Sequence, residues 1–538
     1  MAVSSPGTSS RPRTRNDHYS EPFFALCHGD LLHNVLHRLP ARSFASAACV
    51  CKTWHRVSNQ ILCRPLLASA LSLNPSPFGA LLEVLDKVLS DPIRPHFAIV
   101  NVATDCDLSS MLKLTSKRLG TATPIVVSYS VGIIGRHAST DEVLEVQRGD
   151  DDNGGRGVAL TVGFVPGLKV DAIPLMQQRE GTILVDEFVL DIRQFSASVS
   201  GQQLPVGIVM FGNGHCDLKH AIEKLDFAMP VETAVVGDER SHFVYQTVVK
   251  KRSFFDSDGG QGYINNAVAL TFVRDRNNIH GLGEIKFHVA LSEGVSALGP
   301  IYKAASVRTS DHSTWLTARR EGSREILDGQ RMMMNIDEEL NNRIGHPDLY
   351  IGVTKRRKYA IGSEKAGVMT SLSFHNIFRE DEEYLYVEGL GIRTGDPFQF
   401  YAPDAAVASS TCEKVSASLE RLNMGVPASN SHQTVATSSP AAKESVRKEE
   451  VFGGFIFSCC GRSEYFFGRP NVDSSPFIKS LPGVPFAGVF CSGEIGRCSG
   501  SLMEQNPEGG TPVNPCSHVY SSIYLVMTYT PPPSPAEQ

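Results

Sequence analysis

Apolar residues recur at helical spacing between Asp30 and Ile61. Leu31, Leu32, Val35, Leu36 and Leu39 fall three and four apart behind Asp30, a residue suited to open a helix. Pro40 breaks that helix and can start the next one. Phe44, Ala47, Ala48 and Cys51 continue the spacing, and Trp54, Val57 and Ile61 share one face of a third helix. Three short helices in about 45 residues make a poor core on their own. Such a unit gains stability by docking on a partner or on the rest of the chain.

Past Pro75 and Pro77 the pattern changes. Phe97–Ala103 is a largely apolar run and reads as a buried strand. Leu108, Met111, Leu112, Thr115 and Leu119 then repeat at helical spacing up to Gly120, a natural stop, and Ile125–Tyr129 reads as strand again. A second strand–helix–strand unit follows: Val206–Phe211, then Leu218, Ile222 and Leu225, then Thr233–Val236. Val158–Phe164 lies between them as a further strand. Leu349–Val353 and Tyr359–Ile361 flank Lys355-Arg-Arg-Lys358, which reads as a charged hairpin tip and, by composition, as a nuclear import patch. Glu383–Glu388 reads as a half-exposed strand and Ala405–Leu422 as a helix. Val451–Phe457, Ala487–Cys491 and Ile523–Tyr529 are the last strands. The fold class expected is α+β or mixed α/β, with at least one extended sheet.

The chain carries a faint internal echo. Pro124–Arg136 can be laid over Pro485–Arg497 without a gap, matching Pro, Gly, Ile, Gly and Arg. Each segment is a strand running into a glycine turn, so two related halves facing each other are expected.

Composition narrows the function classes. The 538 residues suggest roughly three to four domains. A net charge of −6 argues against a generally basic nucleic-acid-coating protein. No apolar run approaches the ~20 residues of a membrane helix, and no apolar signal-peptide core opens the chain. Twelve cysteines are far fewer than a disulfide scaffold uses, and no C-x-x-C pair occurs. Cys49 and Cys51 are too close for an ordinary bridge, as are Cys459 and Cys460. A reducing intracellular compartment fits best, cytoplasmic or nuclear. Residues 1–20 read as a disordered tail, with an organelle transit peptide as the other reading. Residues 424–445 almost lack large apolar groups and cannot order themselves, and 531–538 are a loose Pro-rich tail.

Two resemblances then organise the chain. Leu39-Pro40-Ala-Arg-Ser-Phe44, followed by Ala47-Ala-Cys-Val50-Cys51-Lys-Thr-Trp54, resembles the F-box. The resemblance implies docking on a Skp-type adaptor of a cullin-RING ubiquitin ligase. The carriers would be Leu31, Leu32, Val35, Leu36, Leu39, Pro40, Phe44, Val50, Cys51 and Trp54. The chain departs from the pattern in one respect. F-boxes usually open with Leu-Pro and an acid, where this chain has Leu26-Cys-His-Gly-Asp30. The remainder resembles the FIST sensory domains, through Phe457-Ser-Cys459-Cys-Gly461-Arg462, Leu481–Gly488 and Gly493-Glu494-Ile495-Gly496. Weaker matches are Gly395-Asp396 and Ala290–Gly294. The layout expected is a tail at 1–20, an F-box at 21–75, a FIST N-terminal part at 90–300 and a FIST C-terminal part at 301–530. FIST domains are thought to bind small ligands such as amino acids.

Candidate chemistry centres on Cys459, Gly461, Arg462, Gly493 and Glu494. An arginine beside a thiol would favour thiolate, so Cys459 reads as a buried strand-end residue, a ligand-contacting or redox-sensitive thiol, or a nucleophile. A cysteine hydrolase also needs a positioned histidine, and none lies between Cys459 and Gly496. Glu494 could hold the amine of a small ligand or cap a turn. Phe211-Gly-Asn-Gly-His215-Cys-Asp217 is no P-loop and reads as a tight turn. Met332–Met334 read as core. The expectation is a non-catalytic substrate receptor of an SCF-type ligase, with neither cofactor nor metal and without nucleic-acid or membrane partners. The alternative is an amino-acid-like ligand sensor in intracellular signalling.

Overall fold

The chain divides into a small unit, Met1–Cys63 with Leu89–Ile93, and a large one, Arg64–Val88 with Arg94–Gln538. The computed structural model describes residues 29–147, 156–178, 181–202, 204–248, 263–277, 283–310, 312–340, 348–425, 448–497 and 516–532. The tail expected at 1–20, most of that at 531–538 and nearly all of 424–445 lie outside those residues.

The small unit holds three helices, α1 (Gly29–Leu36), α2 (Ala41–Ala48) and α3 (Lys52–Ile61). Pro40 immediately precedes α2, its fixed φ of −56° suiting a helix start. Leu32, Leu36, Phe44, Ala47 and Val57 form the core, with Leu39, Trp54, Ile61 and Leu62 packed on it. The N–H of Ala41 donates to Leu89 O at 3.0 Å, tying residues 89–93 to the helices.

The large unit repeats one topology three times. Unit I runs β1 (Leu66–Ser72), α4 (Pro77–Val88), β2 (Phe97–Val102), α5 (Leu108–Leu119), β3 (Ile125–Tyr129), β4 (Gly132–Arg136), β5 (Val143–Gln147) and β6 (Val158–Phe164). Unit II runs β7 (Leu168–Gln178), α6 (Val185–Ser200), β8 (Gly207–Asn213), α7 (Lys219–Ala228), the long β9 (Ala234–Gln246) and β10 (Tyr263–Arg274). Unit III begins with β11 (Glu284–Ser292) and is interrupted by an inserted barrel. The barrel strands are β12 (Val295–Ser310), β13 (Ser313–Arg320), β14 (Tyr350–Tyr359), β15 (Gly367–Glu380), β16 (Leu385–Glu388) and β17 (Pro397–Pro403), with α8 (Gly329–Leu340) between β13 and β14. Unit III resumes with α9 (Ala405–Met424), β18 (Glu450–Cys459), α10 (Glu464–Phe467), α11 (Ser475–Ser480), β19 (Phe486–Cys491), β20 (Glu494–Arg497), β21 (Ser517–His518) and β22 (Ser522–Thr530).

The strand orders are β1-β6-β2-β3, β7-β10-β8-β9 and β11-β22-β18-β19. In each, the second and third strands of the order pair antiparallel, and the last two pair parallel. Each unit then lends a strand to a neighbour. β4 of unit I adds to β19 of unit III, β20 of unit III adds to β9 of unit II, and residues 242–246 of β9 add to β3 of unit I. The exchange closes a cycle. The echoed segments, β3–β4 and β19–β20, therefore hold equivalent places, but the units number three rather than two. The third copy was hidden because β9 makes the same crossing as one continuous strand, without the glycine turn.

Inward faces of the three sheets share one core. Phe97 from unit I, Phe272 from unit II and Phe287 from unit III meet edge-on, with centroids 5.1 Å apart at both contacts. Helices α6 and α7 cover unit II outside, and α9 and α11 cover unit III. The barrel has its own core around Tyr302, Leu316, Ile351, Phe398 and Phe400, with Met332 buried in it and Met334 exposed. Lys355–Lys358 is not a hairpin tip. It lies inside β14, paired along its length with β15. Strand alternation buries Lys355 3.6 Å from Glu223 and sets Arg357 on Asp396, leaving Arg356 and Lys358 outside.

Candidate functional site

Two places concentrate the residues singled out in the sequence. The first is the helical unit, where α1 and α2 split the apolar residues between inside and outside. Leu32 and Leu36 are fully buried and Phe44 nearly so, so they hold the three helices together. Leu31 (50% exposed), Val35 (45%) and Val50 (64%) point to solvent, and Pro40 and Cys51 are exposed beside them. Leu39 and Trp54 are half-buried at the core's edge. Spacing alone placed Leu31, Leu32, Val35 and Leu36 together. Packing divides them into two that stabilise the unit and two that remain exposed.

The second place is the junction where β20 joins β9. Cys459 and Cys491 end their strands side by side as partners in the β18–β19 ladder, and the N–H of Cys460 donates to Cys491 O at 2.8 Å. Glu494 opens β20 directly opposite Asp238 of β9, and both side chains are buried. Opposed residues of an antiparallel pair share a face, so two carboxyls confront each other out of water. Burial pushes both above the ordinary range, Asp238 to about 7. The Ser521 N–H donates to Glu494 Oε2 at 3.3 Å, but Oε1 makes no hydrogen bond. Glu239 continues the acidic stretch. It accepts the Ser517 hydroxyl at 2.7 Å, and its own N–H donates to Gly493 O at 2.8 Å. A side chain at Gly493 would meet Glu239 Cβ at 3.0 Å, so glycine permits the approach.

The internal repeat supplies a control for this junction. In the echo Glu494 corresponds to Ile133, which is buried on β4 opposite Val489. The same architectural position is thus satisfied by two apolar residues in one unit and filled by two acids in another. The fold does not require the acids, and an unsatisfied buried carboxyl oxygen opposes folding. Glu494→Ile is therefore expected to stabilise the chain by about 1–3 kcal/mol, read as a higher denaturation midpoint. Asp238 adds a pH signature. A carboxyl whose folded pKa lies above its unfolded one contributes stability that is complete at low pH and lost as pH rises through about 7. The stability of the wild type relative to Asp238→Asn should fall by more than about 1 kcal/mol between pH 5 and pH 8. A difference that stays flat in denaturant titrations would show an ionised Asp238 throughout.

Arg462 stands beside this junction in sequence but serves another purpose. It is fully buried, and all five of its N–H groups are used. Nε and Nη2 donate to the Asp473 carboxylate at 2.6–3.1 Å, Nη2 to Ser292 Oγ at 3.0 Å, and Nη1 to Tyr520 O at 3.0 Å and Ser292 O at 3.4 Å. Ser458 completes the Asp473 shell at 2.6 Å. Arg462 has no donor left for a ligand, and it pins the end of β18 to β11 and to Tyr520, two residues before β22. Gly461 is required by close approach, since a Cβ there would lie 2.6 Å from the Tyr520 ring.

Tyr520 and Tyr350 were missed in the sequence. Tyr520 covers Gly461, donates its hydroxyl to Asp348 at 2.6 Å and meets Tyr350 and Phe466 at centroid distances of 6.1 and 5.6 Å. Its φ of 50° is unusual for a bulky residue. No local pattern marks it, because its partners come from the barrel and from α10. Tyr465 on α10 is 94% exposed. Among the described residues no group of three His, Cys, Asp or Glu is arranged to hold a metal ion. None of the described helices is long and apolar enough to cross a membrane.

Comparison with known proteins finds two family resemblances along the chain. The F-box domain model matches residues 29–64, and the FIST C domain model matches residues 377–497, a stretch containing Cys459 to Glu494. An F-box/LRR-repeat protein of Arabidopsis thaliana is 41% identical over 521 residues, 94% of this chain and 94% of that protein. The human F-box only protein 22 is 46% identical over 44 residues, 8% of this chain and 11% of its own. An uncharacterized protein of Mycobacterium tuberculosis is 44% identical over 48 residues, 9% of this chain and 12% of its own.

Proposed function

Because the chain belongs to the F-box protein family, its F-box preceding a body with a FIST C domain, we propose that it is a substrate-recognition subunit of an SCF-type ubiquitin ligase. In this reading the F-box docks a Skp-type adaptor and, through it, a cullin-RING core. The large unit recruits a target protein for ubiquitination and proteasomal degradation. The chain itself carries out no chemistry on the target, and it works in the cytoplasm or nucleus. The observation that carries the reading is the division within the helical unit. Leu32, Leu36 and Phe44 already satisfy its core, yet Leu31, Val35 and Val50 remain exposed and apolar on the same small module. Exposed apolar side chains on a small helical module suit docking of another helix.

Affinity purification of the intact protein with the proteasome blocked tests the proposal. The expected result is co-purification of a Skp-type adaptor and a cullin, plus a target that accumulates. A protein that captures no adaptor would end the receptor reading.

A second reading is favoured by one observation, the orphaned Glu494 oxygen in a position that its repeat fills with isoleucine. The large unit would then sense a small amino-acid-like ligand through Glu494 and the residues around Gly493. A thermal-shift screen over amino acids separates the readings, since only the sensor predicts a shift that Glu494→Gln removes.

A further inference from the structure

One face of the inserted barrel carries aromatic surface that its core does not use. Leu316, Leu385 and Val387 are fully buried inside the barrel, so the residues alternating with them, Trp315, Tyr384 and Tyr386, stand on the outside. Ladder pairing lines up Arg308 of β12, Trp315 of β13, Tyr386 of β16 and Arg379 of β15 as one row across four strands. The Trp315 and Tyr386 rings have centroids 5.8 Å apart, and Tyr384 lies 6.5 Å from each. Phe378, 52% exposed, lies 6.2 Å from Tyr386. Arg308 sits over the Tyr384 ring at 5.3 Å and Arg379 over the Tyr386 ring at 5.0 Å. Aromatic and arginine side chains gathered on a solvent face are the residue types that anchor partners.

The surroundings of the rings select the partner. Two guanidiniums already cover the Tyr384 and Tyr386 rings, so a cationic ligand is repelled. The four rings are inclined to one another by 45° to 78°, forming clefts rather than the parallel faces on which successive bases stack. Among the described residues the Trp315 indole N–H and the Tyr384 hydroxyl make no hydrogen bond. Both donors are open to carbonyl groups, and a polyproline II segment offers its carbonyls because it bonds none internally. Charge is uneven along the row. Glu321 pairs with Lys303 at 3.0 Å, Glu388 with Arg240 at 3.7 Å and Asp381 with Arg379 at 3.6 Å. Arg308 is exposed and left with no carboxylate partner among the described residues, while exposed Glu380, Glu382 and Glu383 crowd the turn on the Arg379 side. An acid therefore fits at Arg308 and is disfavoured at the other end. Arg308 and Tyr386 stand two strands apart, about 9.6 Å. One polyproline II turn covers about 9.3 Å in three residues.

We propose that this row is the docking surface for a segment of the recruited target that carries an acid three residues before a proline and binds as polyproline II. The carboxylate pairs with Arg308. The backbone crosses Trp315 and accepts hydrogen bonds from the indole and from the Tyr384 hydroxyl. The proline packs between Tyr386 and Phe378. That the segment belongs to a target rests on the receptor reading, whereas the preference of the surface for such a segment does not.

The test titrates the full-length protein into fluorescein-labelled peptide pools and follows polarisation. The pools are Glu-x-x-Pro, Lys-x-x-Pro and Glu-x-x-Ala, with x random, and an oligothymidylate of similar length serves as the nucleic-acid probe. The Glu-x-x-Pro pool should bind about tenfold or more tighter than the other three probes. Trp315→Ala should weaken it by about 30-fold. Arg308→Glu, at an exposed position, should invert the preference toward Lys-x-x-Pro, a gain that misfolding cannot produce. Thermal melts verify both variants, and the inversion decides the matter if Trp315→Ala does not fold. Three peptide pools that bind alike would overturn the proposal. So would tighter binding of the oligothymidylate, or an acidic preference that survives Arg308→Glu. The titration contains no adaptor, so its failure leaves the receptor reading standing, and failed adaptor capture leaves the peptide preference standing.

Discussion

Aspartate at Val35 and Val50 together is expected to reduce adaptor capture by about 30-fold or more while the helical unit stays folded. Both residues are exposed and contribute nothing to the core formed by Leu32, Leu36, Phe44, Ala47 and Val57. An interface anchor is worth about 2 kcal/mol or more, which converts to the quoted factor. The contrast comes from the buried set. Leu36→Ala or Phe44→Ala should cost about 2–5 kcal/mol by leaving a cavity, enough to melt three short helices that bury little else. Capture then fails for a different reason, which appears as lost helicity by circular dichroism. The half-buried edge should fall between, with a Leu39→Ala, Pro40→Ala double variant losing capture and some stability. Val35 and Val50 variants that bind the adaptor like the wild type would place the docking face elsewhere.

The largest stability effect is expected at Arg462. Arg462→Met removes a guanidinium that serves Asp473, Ser292 and the carbonyl of Tyr520, all within buried surroundings. Asp473 then remains as an uncompensated buried charge, and breaking such a pair costs about 3–5 kcal/mol. Because the clamp ties β18 to β11 and to the approach to β22, the loss should fall on unit III as a whole. Replacing both partners tests the cause. Arg462→Met with Asp473→Leu removes the stranded charge and should recover much of the deficit, since an apolar pair of similar volume substitutes well for a buried ion pair. Denaturant midpoints of the two single variants and the double complete the cycle. A single variant that loses less than about 1 kcal/mol would mean that the clamp is open to water.

The legible parts of the fold were those carried by short-range periodicity. The strand Ile125–Tyr129, the helix ending at Gly120 and the proline break at Pro40 all follow from residues within one or two turns of each other. The inserted barrel was not legible. Its strands β12 and β15 mix exposed and half-buried positions along their length, because one wall faces solvent and the other a closed core. Register shifts in β12 at 298–302 and 304–306 and in β15 at 377–379 then put the two-residue period out of phase, so no clean alternation survives for a reader to find. The charged run at 355–358 was misplaced for a different reason. A basic run signals solvent unless distant acids, here Glu223 and Asp396, come to meet it. Cys459, Gly461, Arg462, Gly493 and Glu494 were recognised as a group, but not their division of labour. Arg462 turned inward to Asp473, while Glu494 turned toward Asp238, a residue 256 positions earlier (494 − 238) whose neighbours carried no signal.

By itself the sequence determined the family, the three-helix module at the front and the mixed α/β character of the body. Helix spacing, proline and glycine stops and short motifs are local, and local backbone preference survives in any context. Only the tertiary structure decided which apolar residues of that module face outward, that three units exchange strands in a cycle, and that two acids and three thiols share one junction. Those outcomes depend on contacts between residues far apart in the chain, whose burial and charge are set by partners that no window of sequence contains.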